Sequence, residues 1–418
     1  MTSETQEVWV WVYLPGDTEP ALCGRYQHAT QPGGGAVGKF IYGKNYLANP
    51  SRIPLDPISL PLVDKTHEFG LLRGVFPALL DAMPDDWGRY VIDRIHGQQA
   101  YPMGYMLKAS DDRIGNLTFS AERLSAPMPS RFATLKDIPT ARAVLQGLEE
   151  ARVVPPELLE VIEPTTAMGG ARPKLTVDVE GELWMAKFPA RNDSALFPVA
   201  KVEAAMLNLA RRCDIDASQA RVVEDDVLLV KRFDRAAVRN KAGLFLGWRR
   251  DSFLSARTVF YSRPDVQANS FTGSYPRLAE ELSRWSAAPS LDREELFKRM
   301  VFNACVSNTD DHERNHGFLA DDEPGAYRLS PAFDIVPRVH GTRRRLHALI
   351  LGNEGAQATR GNLLSDCARF GLRPAAAEAI FEHITQMVKA HWRACLIDQC
   401  VGEQVLLHVE GCFGCEFN

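Results

Sequence analysis

The segment Ser307-Asn-Thr-Asp-Asp-His-Glu-Arg-Asn315 concentrates the side chains best suited to chemistry. It follows an apolar helical stretch in which Leu296, Met300 and Ala304 share one face, and it precedes a short strand, Gly317-Phe-Leu319. Asp310 and Asn315 stand five positions apart. Phosphoryl transfer has a use for such a pair. A carboxylate accepts the proton of the attacking hydroxyl, and a neutral amide oxygen holds Mg²⁺ without adding repulsion to the phosphates. A second carboxylate must reach the metal from another loop. Asp334 is placed for that, at the end of Ser330-Pro-Ala-Phe-Asp334 and just after a strand at Arg328–Leu329.

These groups need elements to position them, and the segment from Met168 to Phe233 supplies candidates. A Gly-rich turn, Met168-Gly-Gly-Ala-Arg-Pro-Lys174, leads into strands over Leu175–Val179 and Leu183–Phe188, joined at Gly181. Lys187 lies in the second strand. Val199–Cys213 has Val202, Ala205, Met206 and Leu209 at helical spacing and carries Glu203. Val227–Phe233 reads as a buried strand. The spacing of Asp310 and Asn315 is also that of the H-R-D-L-x-x-x-N loop of protein kinases. Taken singly, each residue has a plain structural alternative. Asp310 and Asp311 suit a helix cap or turn, and Asp334 suits an N-cap before Ile335. His312 reads as a packed histidine donating to a backbone carbonyl, Lys187 as a solvated strand lysine, and Glu203 as a surface helix residue. The reading rests on five parts in one order: Gly-turn, strand lysine, helix glutamate, Asp-x-x-x-x-Asn, and an aspartate after a strand.

A second Gly-rich segment, Gly33-Gly-Gly-Ala-Val-Gly38-Lys39, fits most of the Walker pattern but continues with Phe40 where a hydroxyl should ligate Mg²⁺. No buried strand precedes it, so it reads as a glycine turn in a β-rich unit. Composition sets the wider frame. The chain has 418 residues, 45% apolar and 24% charged, which is globular usage and excludes disordered, collagen-like and coiled-coil classes. A net charge of −5 argues against a stand-alone non-specific nucleic-acid binder, which needs a basic field. The eight cysteines are scattered through a long chain and read as reduced thiols. Cys395, Cys400, Cys412 and Cys415 have only a loose zinc-like spacing. Without a signal peptide or an apolar run of about 18 residues, the expectation is a soluble cytoplasmic protein with no membrane partner. Three parts are expected, a β-rich unit over 1–123, a second unit over 139–235 and a helical part over 236–418, with a Pro/Ser-rich linker between the first two.

The residues resemble the HipA family, serine/threonine kinase toxins of bacterial toxin–antitoxin modules. The resemblance covers nearly the whole chain. Phe76-Pro-Ala-Leu-Leu-Asp-Ala-Met-Pro-Asp-Asp-Trp-Gly-Arg89 and Asp111-Asp-Arg-Ile-Gly-Asn-Leu117 match its N-terminal blocks. Further matches are Gly169-Gly-Ala-Arg-Pro-Lys174, Trp184-Met-Ala-Lys-Phe-Pro189 and Val230-Lys-Arg-Phe-Asp-Arg235. The most specific are Asn308–Asn315 and Leu329–Asp334. The resemblance implies an α+β fold, bilobal and protein-kinase-like, with an extra β-rich N-terminal subdomain and a mainly helical C-lobe. It implies ATP and Mg²⁺ as cofactors, with Asp310 as catalytic base and Asn315 and Asp334 as metal ligands. Lys187, supported by Glu203, would pair with ATP phosphates. Gly169, Gly170, Ala171, Arg172 and Lys174 would form the phosphate-covering loop, and Lys231, Arg232 and Phe233 the adenine-contacting hinge.

Family members often carry an autophosphorylated serine just ahead of the Gly-rich loop. Ala167 stands at that position here, with Thr165 and Thr166 beside it as candidate sites. A phosphate there would add about −1.5 to −2 charges next to a loop shaped for phosphate and oppose ATP binding. The expected partners are a HipB-like helix-turn-helix antitoxin, operator DNA mainly through that antitoxin, and a protein substrate such as an aminoacyl-tRNA synthetase. The alternative is a corepressor-type binding protein acting with the antitoxin on operator DNA, with weak or no kinase activity. A small-molecule kinase on the same fold ranks third.

Overall fold

The computed structural model describes residues 6–31, 34–128, 131–150, 155, 161, 163–167, 170, 172–194, 196–263, 273–321, 325–339 and 345–413. The chain divides into two compact units, neither of them one continuous stretch. The first comprises Met1–Ala186, Asp234–Leu254 and Thr258–Phe271, and the second Lys187–Phe233, Ser255–Arg257 and Thr272–Asn418.

The first unit is built on antiparallel strands β1 (Gln6–Tyr13), β2 (Pro20–Thr30), β3 (Ala36–Tyr42), β4 (His67–Phe69) and β5 (Leu117–Ser120), in the order β4-β3-β2-β1-β5. The β1 sequence alternates, and the period of two sends Val8, Val10 and Val12 to one fully buried face. They pack with Tyr26, Phe40, Phe76 and Leu79 into the core of this unit. The Walker-like segment runs into β3 rather than a helix, and Lys39 lies mid-strand, paired with Glu68 at 2.7 Å. No phosphate-binding helix N-terminus follows it.

A second sheet segment joins β6 (Ala133–Thr134), parallel to β7 (Lys174–Val179), with β8 (Glu182–Lys187) beside β7. Glu180 and Gly181 both have positive φ, +56° and +84°. That is the two-residue I′ geometry whose twist suits a hairpin, and glycine takes it without strain. Asp111-Asp-Arg-Ile-Gly-Asn116 turns out to be a scaffold. Arg113 is fully buried and donates to the carbonyls of Ala82, Met106 and Ala109, while Asp111 pairs with buried Arg250 at 2.5 Å.

The second unit is mainly helical. The helix Pro289–Cys305 buries Leu296, Phe297, Met300, Val301, Phe302 and Ala304, and packs against the helices Tyr275–Trp285 and Pro374–Asp398. Ser274 caps the helix Tyr275–Trp285 by accepting the N–H of Arg277 at 3.0 Å, with Pro276 in the first turn. The helix Val199–Arg212 packs on Pro374–Asp398 and on the strands β9 (Ala220–Val223) and β10 (Val227–Lys231). The hairpin of Gly317–Ala320 and Tyr327–Leu329 completes the frame around the segments that carry Asp310, Asn315 and Asp334. Among the described residues no helix is long and apolar enough to cross a membrane, and none of the seven described cysteines forms a disulfide.

Candidate active site

Lys187, Glu203, Asp310, Asn315 and Asp334 all belong to the second unit. Lys187 ends β8. Its Nζ donates to Glu203 Oε1 at 2.6 Å and to Asp334 Oδ1 at 2.8 Å. Neither Lys187 nor Glu203 is a surface residue, with side chains 12% and 3% exposed. Burial disfavours the ammonium, but the carboxylates of Asp334 and Glu203 outweigh it, and the Lys187 pKa is raised. The result is a fixed, protonated cation between two carboxylates.

Asp334 is half exposed and has φ +60°, a left-handed conformation that aspartate tolerates better than most residues. No helix follows it, so it is not an N-cap. The loop before it is fastened from below. Arg299, buried within the helix Pro289–Cys305, donates to the carbonyl of Ser330 at 2.7 Å and to that of Asp216 at 3.3 Å. Ala332 and the 216–218 segment exchange backbone hydrogen bonds, Ala332 N–H to Asp216 C=O at 2.8 Å and Ser218 N–H to Ala332 C=O at 2.9 Å. Buried Asp292 takes the Arg328 guanidinium and the N–H of Leu329, which fixes the strand leading into the loop. Phe333, one residue before Asp334, packs on Phe233 with ring centroids 5.6 Å apart. Lys231, at the end of β10, donates its N–H to the Gln219 carbonyl at 2.9 Å.

The 307–316 loop has a buried anchor that the sequence reading treated as a cap. Asp311 is 2% exposed and accepts hydrogen bonds from the Tyr275 hydroxyl and from His316 Nε2, the latter at 3.1 Å. Burial pushes the Asp311 carboxyl up, but the charge and hydrogen bond of His316, the Tyr275 hydroxyl and the charge of His347 together hold it below its ordinary value. Asn303 bridges Tyr275 and Asn308. The packed histidine of this loop is therefore His316. His312 is half buried, and its Nδ1 accepts the Arg314 N–H at 3.3 Å instead of donating to a carbonyl. Asp310 is left exposed and pairs with Arg338. Asn315 is 7% exposed, and its side-chain amide makes no hydrogen bond among the described residues.

The Asp334 carboxylate, beside the Lys187 ammonium, and the Asn315 amide are the oxygens that could hold a magnesium ion. Among the described residues no group of three or more His, Cys, Asp or Glu side chains could hold a metal. Mg²⁺ does not need one, since it commonly takes one or two protein oxygens and completes its shell with phosphates and water. One half-exposed carboxylate and one uncommitted amide oxygen fit that pattern.

In the first unit, Gly170 has φ +104° and donates its N–H to Asp85 Oδ2 at 2.6 Å, so that amide already serves an anion. Lys174 is buried as the first residue of β7, and Arg172 is half buried. Gly169 and Ala171 lie outside the described residues, as does Cys415 of the candidate zinc spacing. Thr165 and Thr166 are 0% and 2% exposed, and Thr166 Oγ1 accepts the Ser110 N–H at 2.8 Å. Gly88 lies against the Thr166 backbone, where any Cβ would collide with that carbonyl. Neither threonine is presented to a phosphate donor in this conformation.

The HipA-like C-terminal domain family matches residues 166–392, more than half of the chain. The chain belongs to the HipA family. The match spans the Lys187–Glu203–Asp334 contact and both loops of the HipA-type site. A Sinorhizobium fredii protein (strain NBRC 101917 / NGR234) with the provisional name kinase Y4mE is 25% identical over 345 residues, 74% of each chain. Among solved structures, a chain of the Shewanella oneidensis MR-1 toxin–antitoxin complex of HipA, HipB and operator DNA superposes with a TM-score of 0.66. That likeness covers 99% of this chain and 96% of the other at 16% identity, and it shows that the HipA fold extends over the N-terminal β-rich part as well.

Proposed function

We propose that this HipA-family chain is an ATP- and Mg²⁺-dependent serine/threonine protein kinase and the toxin of a toxin–antitoxin module. The observation that carries the proposal is the Lys187–Glu203–Asp334 contact, with Lys187 held protonated by two carboxylates on separate elements. In this reading Lys187 pairs with nucleotide phosphates, and Glu203 holds it in place. Asp310 accepts the proton of the acceptor hydroxyl. Asn315 and Asp334 would hold Mg²⁺, which neutralises phosphate charge when bound. Nucleotide contacts by Gly169, Gly170, Ala171, Arg172, Lys174, Lys231 and Phe233 belong to the same proposal.

The HipA–HipB–operator complex of Shewanella oneidensis supports a HipB-like antitoxin as partner, with operator DNA engaged through it. An aminoacyl-tRNA synthetase is proposed as the substrate on the family resemblance. Phosphorylation at Thr165 or Thr166 requires local opening of the segment that buries them.

The test is transfer of label from ATP to the chain itself or to a synthetase, followed by phosphoproteomics after induced expression. Asp310→Asn and Asp334→Asn are expected to abolish transfer while the fold, read by circular dichroism, is retained. Unchanged transfer in both variants removes the assignment. Nucleotide binding with no transfer by the parent chain favours the corepressor reading.

A further inference from the structure

Ser307 opens the loop that carries Asp310, and it sits at φ +57°, a region serine rarely occupies. Three bonds hold it and its neighbours there. Its hydroxyl donates to the Cys412 carbonyl at 2.7 Å, its own carbonyl accepts the Arg338 N–H at 2.9 Å, and the Cys412 thiol donates weakly to the Arg338 carbonyl at 3.5 Å. Ser307 and Cys412 are 1% and 2% exposed. The C-terminal turn that brings Cys412 here, Glu410–Phe413, is fixed by Phe413 stacked on Trp392 at 4.5 Å and by Arg345 donating to the Gly411 carbonyl. The backbone of Arg338 is thus pinned between the catalytic loop and the C-terminal turn. From that backbone its guanidinium reaches Asp310, three residues after Ser307. Both partners of this pair are more than half exposed, and exposed pairs add little to stability. A surface ion pair does not require so rigid a mount, whereas a carboxylate that must meet an incoming hydroxyl at a fixed angle does.

We propose that Arg338 is a positioning residue for Asp310, and that the C-terminal turn is the part that positions Arg338. The proposal rests on Asp310 acting as base in the kinase reading. The guanidinium holds one carboxylate oxygen of Asp310 and leaves the other to accept the proton.

The test uses the full chain and steady-state transfer from ATP. Arg338→Ala is expected to lower kcat by about ten-fold or more, within the range that general bases contribute, with KM for ATP unchanged. Arg338→Lys keeps the charge without the planar fork and is expected to fall between the parent and the alanine variant. Free guanidinium ion added to the alanine variant should restore part of kcat. Ser307→Ala, which removes the bond to the C-terminal turn without touching the ion pair, should lower kcat in the same direction. A kcat for Arg338→Ala at or above the parent value overturns the proposal, as does an equal loss in Arg338→Ala that neither lysine nor guanidinium relieves. Should Asp310→Asn retain transfer, the kinase reading itself fails, which is a distinguishable outcome.

Discussion

At the scale of single residues, the chain separates groups left open for chemistry from groups spent on holding them. Asp310 and Asp311 are adjacent, yet one is exposed and the other is buried against Tyr275 and His316. Sequence offered both as caps or turn formers, because a one-dimensional pattern does not say which way each carboxylate points. Asp311→Ala is expected to destabilise the fold by about 3–5 kcal/mol, the usual cost of breaking a buried pair, read by urea denaturation at pH 7. The sign of its pH dependence follows from a folded pKa held below the ordinary value. The contribution is fully present above the unfolded carboxylate pKa of about 3.9 and is lost as pH falls through the lower folded value. The gap between parent and variant should therefore be constant from neutral pH down to about pH 5 and narrow at more acid pH. A gap that widens on acidification contradicts the assignment.

At the scale of elements, the helix Pro289–Cys305 does more than fill a core. Its apolar stripe was readable from Leu296, Met300 and Ala304, and the structure extends that stripe with Phe297, Val301 and Phe302. The same helix carries two buried charges that pattern reading passed over. Asp292 fixes the strand before the Asp334 loop, and Arg299 holds the Ser330 and Asp216 carbonyls. The available signal was that Asp292 and Arg299 stand four before and three after Leu296, on the apolar stripe of a helix with many other charges, but the partners of Arg299 lie about 30 residues ahead and 80 behind, out of reach of any local rule. Arg299→Lys is expected to be poorly tolerated, since a single ammonium cannot reproduce the fork to two carbonyls and Glu295. We expect a loss of about 2–3 kcal/mol by thermal or urea unfolding, together with weaker nucleotide binding from a loosened Asp334 loop. Unchanged stability and binding would show that the loop is held elsewhere.

At the scale of the whole molecule, net charge limits what the chain can bind by itself. Lys and Arg total 48 against 53 Asp and Glu, so the isolated chain has no net basic field to release counterions from DNA. The fold nonetheless matches a chain from a HipA–HipB–operator complex. Under the proposed toxin–antitoxin reading, a gel-shift experiment has a definite expected outcome. The chain alone should leave operator DNA unshifted at about 150 mM salt, and the same chain should supershift it once a helix-turn-helix antitoxin is present. A salt-sensitive shift by the chain alone would place a basic patch on its own surface.

Sequence alone determined the family, the order of the chemical parts and most of the local elements around them. Strands β7 and β8, the turn at Gly181, the helix bearing Glu203 and the short strands flanking Asp310 and Asp334 all follow from periodicity and turn chemistry within a few residues of chain. Tertiary structure decided what those parts touch. Lys187 meets Asp334 across 147 residues, Arg113 disappears into three backbone carbonyls, Thr165 and Thr166 are sealed beneath a helix, and the turn at Glu410–Phe413 reaches the 307–316 loop. Propensity and pattern act over one or two turns of chain, whereas burial and charge pairing depend on which distant segments the core draws together.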